Sequence, residues 1–209
     1  MWGSASRSEA GIKLHLGAFD RAVDGWLNTD VTPHIFLSRI PAAASLLYAL
    51  GKIDAQKHAL HREGRFRALK YLDLTKPLRF ADSSVAAVFS SHVFEHLFPD
   101  EVERLVREIH RVLMPGGVCR VVVPDLDKLI STYESESPEK FLGAVFEADT
   151  RAAVKNGHHW GYTGASLQRL FRHCGFATAD VLAYRVGRCP DIGVLDNRPD
   201  ESLFFEAVK

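Results

Sequence analysis

The stretch "HLGAFDRAVDGWLNTD", His15–Asp30, decides how this chain is read. The segment before it alternates from Ile12 and ends in Gly17, as a strand entering a tight turn does. Gly25–Val31 reads as a second short strand that ends near Asp30. A dinucleotide-binding fold would place G-x-G-x-x-G between the two strands. Here Gly17 is followed by Ala18, Phe19 and Asp20, and the interval to Asp30 is too short for a full helix.

Further along, the chain alternates between strand-like and helix-like segments. Ala68–Leu74 reads as a third strand closed by Pro77, and Ser84–Ser91 as a fourth. In "FPDEVERLVREIHRVLMPGG", Val102, Leu105, Val106, Ile109, Val112 and Leu113 recur at helical spacing. Asp100 is the expected cap of that helix, Glu103 and Arg107 form an i,i+4 pair, and Pro115-Gly116-Gly117 is the expected stop. Val118–Asp125 is almost wholly apolar, as befits a strand buried on both faces. "DKLISTY", "EKFLGAVFEADTRAAV" and "TGASLQRLFRHCGF" read as helices, and "ATADVLAYRV" and "SLFFEAVK" as late strands. This pattern predicts an α/β fold of Rossmann-like type. Its sheet is mostly parallel and twisted, with an antiparallel C-terminal edge pair and helices on both faces. Ligands in such sheets bind beyond the carboxyl ends of the strands. Those ends here are Gly17, Asp30, Asp73, Ser90-Ser91-His92 and Pro124-Asp125, nearly all small or acidic.

A chain of 209 residues fits one domain, residues 1–209, with a helical insert over 33–67. The insert reads as a lid, an acceptor-binding element or a dimer contact. Its apolar set includes Ile35, Phe36, Leu37, Ile40, Leu46, Leu47 and Leu50, and packing of these on the domain is expected over contact with a membrane surface. Lys57 to Lys70 is locally basic, with a solvated face as its default reading. Lys+Arg and Asp+Glu are equal at 26 each, which argues against a nucleic-acid partner for the chain as a whole. Cys119, Cys174 and Cys189 are scattered and odd in number, as in a reduced compartment. "MWGSASRSEAGIK" has no apolar core of a signal peptide, and no run reaches the roughly 18–20 apolar residues of a membrane span. A cytoplasmic protein is expected.

The ordered set "KLHLG", "GWLNTD", "LDLTKPLRFADSSVAAVFSSHVFEHL", "EIHRVLMPGGVCRVVVPD", "GHHWGYTGASLQRLFRHCGF" and "SLFFEAVK" resembles the class I S-adenosylmethionine-dependent methyltransferases of the small type 11-like group. The resemblance implies S-adenosyl-L-methionine as cofactor and S-adenosyl-L-homocysteine as product. It implies that Leu16, Gly17 and Ala18 approach the amino-acid part of the cofactor. Asp30 would then accept from the ribose hydroxyls, and Asp73 and Leu74 would meet the adenine. Ser90, Ser91 and His92 would face the methionine part. A cofactor without a pyrophosphate has less use for the later glycines, so their loss speaks against a nicotinamide cofactor. Phe19 stands where many relatives carry a second glycine, so its ring must turn away from the cofactor or cover it.

The implied activity is methyl transfer to an oxygen or nitrogen of a small molecule or glycan; a degenerate fold serving as a binding subunit is the alternative. Methyl transfer is a displacement that needs the acceptor held in line, with a base for a hydroxyl or ammonium. His92, Glu95, His96 and His159 are the catalytic candidates, and Asp125 can face the acceptor as well. Two other readings of the histidines stay open. Glu95, His96 and a later histidine can ligate a divalent metal, although His92 breaks the fuller carboxylate pattern of some relatives, and no metal ligands are assigned. Alternatively, His96 and His158 only fix loops.

Overall fold

Strand β1 (Ile12–Leu16) has β2 (Leu27–Asp30) on one side and β4 (Val85–Ser91) on the other, all parallel. β3 (Lys70–Tyr71) extends the sheet beyond β2, and β5 (Leu113–Pro124) extends it beyond β4. The chain then closes antiparallel, with β7 (Ser202–Val208) inserted between β5 and β6 (Thr178–Leu182). The order β3-β2-β1-β4-β5-β7-β6 is the predicted mostly parallel sheet with an antiparallel end. These statements come from a computed structural model that describes residues 11–146 and 157–209. The second half of the helix expected over "EKFLGAVFEADTRAAV" and the N-terminal "MWGSASRSEA" lie outside the described residues.

Between β2 and β3 come three short helices, α1 (His34–Leu37), α2 (Ala43–Ala49) and α3 (Ala55–Arg62). Asp54 caps α3, its carboxylate accepting from the Lys57 amide at 2.7 Å. Of the apolar set expected to pack on the domain, only Ile35 is fully buried, in a cluster with Ala18, Phe66 and Leu69. Phe36, Ile40, Leu46 and Leu50 are exposed. No helix among the described residues is long and apolar enough to cross a membrane.

One sheet face is covered by α4 (Pro99–Val112), whose Val102, Leu105, Val106 and Ile109 meet Leu14, Leu16, Val88 and Val121. Helices α5 (Leu126–Ser131) and α6 (Pro138–Phe146) follow β5, and α7 (Gly164–His173) joins α4 through Leu167 and Phe171. The opposite face has slighter cover: Trp26 from the β1–β2 connection, and Leu195 of the one-turn α8 (Ile192–Leu195). Two expected ends of α4 move. Its first turn is closed by Glu101, which accepts from the Phe98 amide at 3.0 Å, while Asp100 pairs with Arg104 at 3.1 Å. Its stop is Val112, because Leu113 is already extended and Pro115-Gly116-Gly117 lies within β5.

The slighter face is held by charge. Arg120 lies on β5 among apolar neighbours and is completely buried with Asp196, 2.6 Å away. Its guanidinium also donates to the carbonyls of Val186 and Ala183 at 2.9 and 3.2 Å. This one side chain thus anchors the segment between β6 and β7 onto the sheet. Removing one partner of a buried ion pair strands the other charge. Arg120→Leu is therefore expected to lower unfolding stability by about 3–5 kcal/mol in urea denaturation. Adding Asp196→Leu should recover part of that loss.

Candidate functional site

β1 and β2 are adjacent and parallel, yet only the residues between Leu16 and Leu27 join them. No helix forms there, so the connection must satisfy its backbone in another way. Asn28 does this. Its Oδ1 accepts from the Val23 amide at 3.0 Å, and its Nδ2 donates to the carbonyls of Val23 and Trp26 at 2.9 and 3.0 Å. His15 Nδ1 lies 3.1 Å from the same Oδ1. That oxygen only accepts, so the Nδ1 of His15 carries the proton. Burial holds the His15 pKa down at about 4.

Asp30 closes the other end of the loop. Its Oδ2 accepts from the Phe19 amide at 3.1 Å and its Oδ1 from the Thr32 amide at 2.7 Å. Each carboxylate oxygen keeps a second lone pair for a ligand. Phe19 has a φ of 39°, and its ring sits edge-on to Phe66 at 5.6 Å. Gly17 has a φ of 68°, and a Cβ there would overlap the Val93 side chain. Glycine is required at this position by backbone conformation and by close packing together.

Beyond these strand ends lies a cavity of about 450 Å³, within the usual range for small-molecule sites. Gly17, Phe19 and Asp30 form one wall, Asp73 and Leu74 another, and His92, His96 and His159 a third. Asp73 lies past the end of β3, which is shorter than expected because the chain turns at Asp73–Lys76. Its Oδ1 accepts from the hydroxyl and amide of Thr75 at 2.7 and 2.9 Å, and these bonds hold its pKa below the usual carboxylate value. A second cavity of about 180 Å³ shares Gly17, Phe19 and His92 with the first and adds Ala18, Arg21, Ser91, Asn197 and Arg198.

His92 stands at the junction of the two cavities with a φ of 53°, a left-handed backbone that non-glycine residues adopt at a cost. Its Nε2 is 3.0 Å from the Ser202 hydroxyl and its Nδ1 is 3.2 Å from Glu95 Oε1. Phe94–His96 forms a 3₁₀ turn, and this turns Glu95 inward. Glu95 is 1% exposed and lines neither cavity, so it cannot touch an acceptor there. His96 Nδ1 is 3.2 Å from the Gly157 carbonyl, and the His159 ring stacks on Phe98 at 4.5 Å.

Three other expected residues are placed elsewhere. Leu16 shares a strand face with Leu14 and is fully buried in the main core. Ser90 shares a face with Val88, and its buried hydroxyl also reaches neither cavity. Side chains alternate along a strand, so only one of Ser90 and Ser91 can face a given side. Asp125 caps α5 by accepting from the amides of Asp127 and Lys128. Sequence reading overlooked His15, Asn28, Asn197 and Arg198. Asn28, two residues before an acid at a strand end, was the one with a visible signal.

A methyltransferase-domain family model matches residues 44–121. The uncharacterized protein YBR225W of Saccharomyces cerevisiae is 31% identical over 137 residues, which is 56% of this chain and 15% of that protein. This chain thus spans only a small part of that relative's length. A SAM-dependent methyltransferase from Archaeoglobus fulgidus superposes with a TM-score of 0.51 at 15% identity, covering 96% of this chain and 86% of the other. PigF with SAH superposes at 0.50 with 15% identity, over 98% of this chain and 52% of the other. At such identities the structures speak for the fold.

Two outcomes test this geometry. Gly17→Ala is expected to lose about 1–3 kcal/mol of stability in thermal or urea unfolding, from the left-handed φ and the displaced Val93. His15, with its folded pKa depressed to about 4, makes the unfolded chain the stronger proton binder between about pH 6.5 and 4. Stability is therefore complete above about pH 6.5 and falls by up to about 3 kcal/mol toward pH 4. His15→Gln, which does not titrate, should flatten that part of the profile.

Proposed function

We propose that this chain, a class I S-adenosylmethionine-dependent methyltransferase in fold, transfers a methyl group to an oxygen or nitrogen of a small-molecule or glycan acceptor. The observation that carries the reading is one cavity with Gly17, Asp30 and Asp73 on its walls and His92 where it meets the smaller cavity. The donor and acceptor chemistry fits the cofactor. Asp30, held in place by two amides, would accept from the ribose hydroxyls. Asp73, kept ionised by Thr75, would accept from the adenine amino group beside Leu74. The space that a Gly17 side chain would fill is taken by Val93, so Gly17 lines the cavity with backbone alone. When bound, S-adenosylmethionine supplies a methyl group on a positively charged sulfur.

The smaller cavity fits the acceptor. Arg21, Asn197, Arg198 and Ser91 give it polar walls, and His92 connects it to the cofactor side. Glu95 Oε1 would hold the proton on His92 Nδ1, leaving Nε2 with the lone pair that takes the acceptor's proton. Ser202 is the group that Nε2 would exchange for the acceptor. Glu95 is thus a positioning residue, and His96 and His159 form a wall of the larger, cofactor-side cavity.

Isothermal calorimetry with S-adenosylhomocysteine tests the reading. One site per chain is expected, weakened at least about tenfold, or about 1.4 kcal/mol, by Asp73→Ala and by Asp30→Ala. A chain that folds and does not bind S-adenosylhomocysteine would instead be a binding subunit built on the same fold.

A further inference from the structure

Three acids among the described residues are buried, and two of them are fully served. Asp196 accepts from Arg120 and the Arg185 amide, and Glu206 from the amides of Arg188 and Cys189. Glu95 is different: among the described residues neither of its carboxylate oxygens receives a well-formed hydrogen bond, and His92 Nδ1 stands 3.2 Å from Oε1. A buried carboxylate is tolerated only with compensating donors or positive charge.

Among the described residues, two imidazoles approach Glu95 Oε1, those of His92 and His158. His158 Nε2 is 4.0 Å from Oε1, and one ligand atom each of Glu95, His96 and His158 fall within 4.8 Å of one another. The protons of both rings are fixed from outside the cluster. His96 Nδ1 faces the Gly157 carbonyl at 3.2 Å and His158 Nδ1 the Val145 carbonyl at 3.0 Å. A carbonyl can only accept, so each Nδ1 carries hydrogen and the Nε2 of the neutral ring is the basic nitrogen. An Nδ1–H held by a backbone carbonyl is also the usual outer support of a metal-bound histidine. The Glu95 carbonyl accepts from the amides of His159 and Trp160 at 2.7 and 3.2 Å, which fastens the segment bearing His158 to the turn bearing Glu95 and His96.

We propose that a carboxylate oxygen of Glu95, His96 Nε2 and His158 Nε2 bind one divalent cation of the borderline class, such as Zn²⁺ or Co²⁺. Two imidazoles and one carboxylate suit that class, whereas Mg²⁺ and Ca²⁺ select oxygen ligands. Ligand bonds of about 2.0–2.2 Å put neighbouring ligands about 3.4 Å apart in a tetrahedron, so the three groups close by about 1 Å on binding. Three protein ligands leave a position open, and His96 brings the site to the border of the larger cavity. His92 Nδ1, 3.2 Å from Oε1, can donate to the same carboxylate while the cation is bound, because each oxygen has two lone pairs.

The test is a Co²⁺ titration of the full chain after removal of bound metal with a chelator, followed by visible absorption. One Co²⁺ per chain is expected, with the intense d–d bands of four- or five-coordination, lost on adding Zn²⁺. Glu95→Gln and His158→Ala should each weaken the affinity at least tenfold with an unchanged circular dichroism spectrum. His173→Ala, at an exposed histidine, should leave it unchanged. No bands with the wild-type chain, or an affinity indifferent to Glu95→Gln, overturns the proposal, and the wild-type titration decides by itself should a variant not fold. Cation binding is read without S-adenosylhomocysteine, so its failure is separate from a failure of the methyltransferase reading.

Discussion

The structure around the cavity depends on the satisfied amide of Asn28. Two neighbouring parallel strands ordinarily need a crossover of a dozen or more residues, usually a helix. The β1–β2 connection is shorter, and its backbone groups cannot pair within a helix. Asn28 replaces the helix with one side chain, using its oxygen for Val23 and His15 and its nitrogen for Val23 and Trp26. With the loop so fixed, Trp26 is delivered to the sheet face and the Phe19 amide to Asp30. Asp30 therefore has a fixed orientation before any ligand arrives, which lowers the ordering cost of binding.

The opposite wall is arranged by backbone strain and buried charge. β4 ends in the left-handed His92, and the following 3₁₀ turn drives Glu95 beneath the cavity. Arg120 and Asp196 hold the segment that carries Asn197 and Arg198 into the smaller cavity. Neither feature has a packing advantage over apolar residues, since a buried ion pair often gains no net stability over a hydrophobic replacement. Both instead place polar groups at the meeting point of two cavities.

The strand ends were legible in the sequence because each combines an apolar run with a small or acidic stop. Gly17, Asp30 and Asp73 line the larger cavity. Leu16 and Ser90 went to the core because strand alternation, counted from Leu14 and Val88, turns them to the side covered by α4. The Arg120–Asp196 pair was not legible, since its partners are 76 residues apart and the arginine sits in an apolar strand. The Glu95–His96–His158 cluster was half legible. Glu95 and His96 are adjacent in sequence, but only the fold brings His158 to them, and only the two backbone carbonyls fix which nitrogen of each ring is basic.

The central claim is that the β1–β2 loop and the turn at Asp73 frame a S-adenosylmethionine site. A crystal structure of the full chain grown with S-adenosylhomocysteine tests it most directly. The account predicts the ligand in the larger cavity, with both ribose hydroxyls on the Asp30 carboxylate, the adenine at Asp73 and the homocysteine end at Gly17. A ligand bound elsewhere, or a cavity closed by the Phe19 ring with Asp30 turned away, would contradict it.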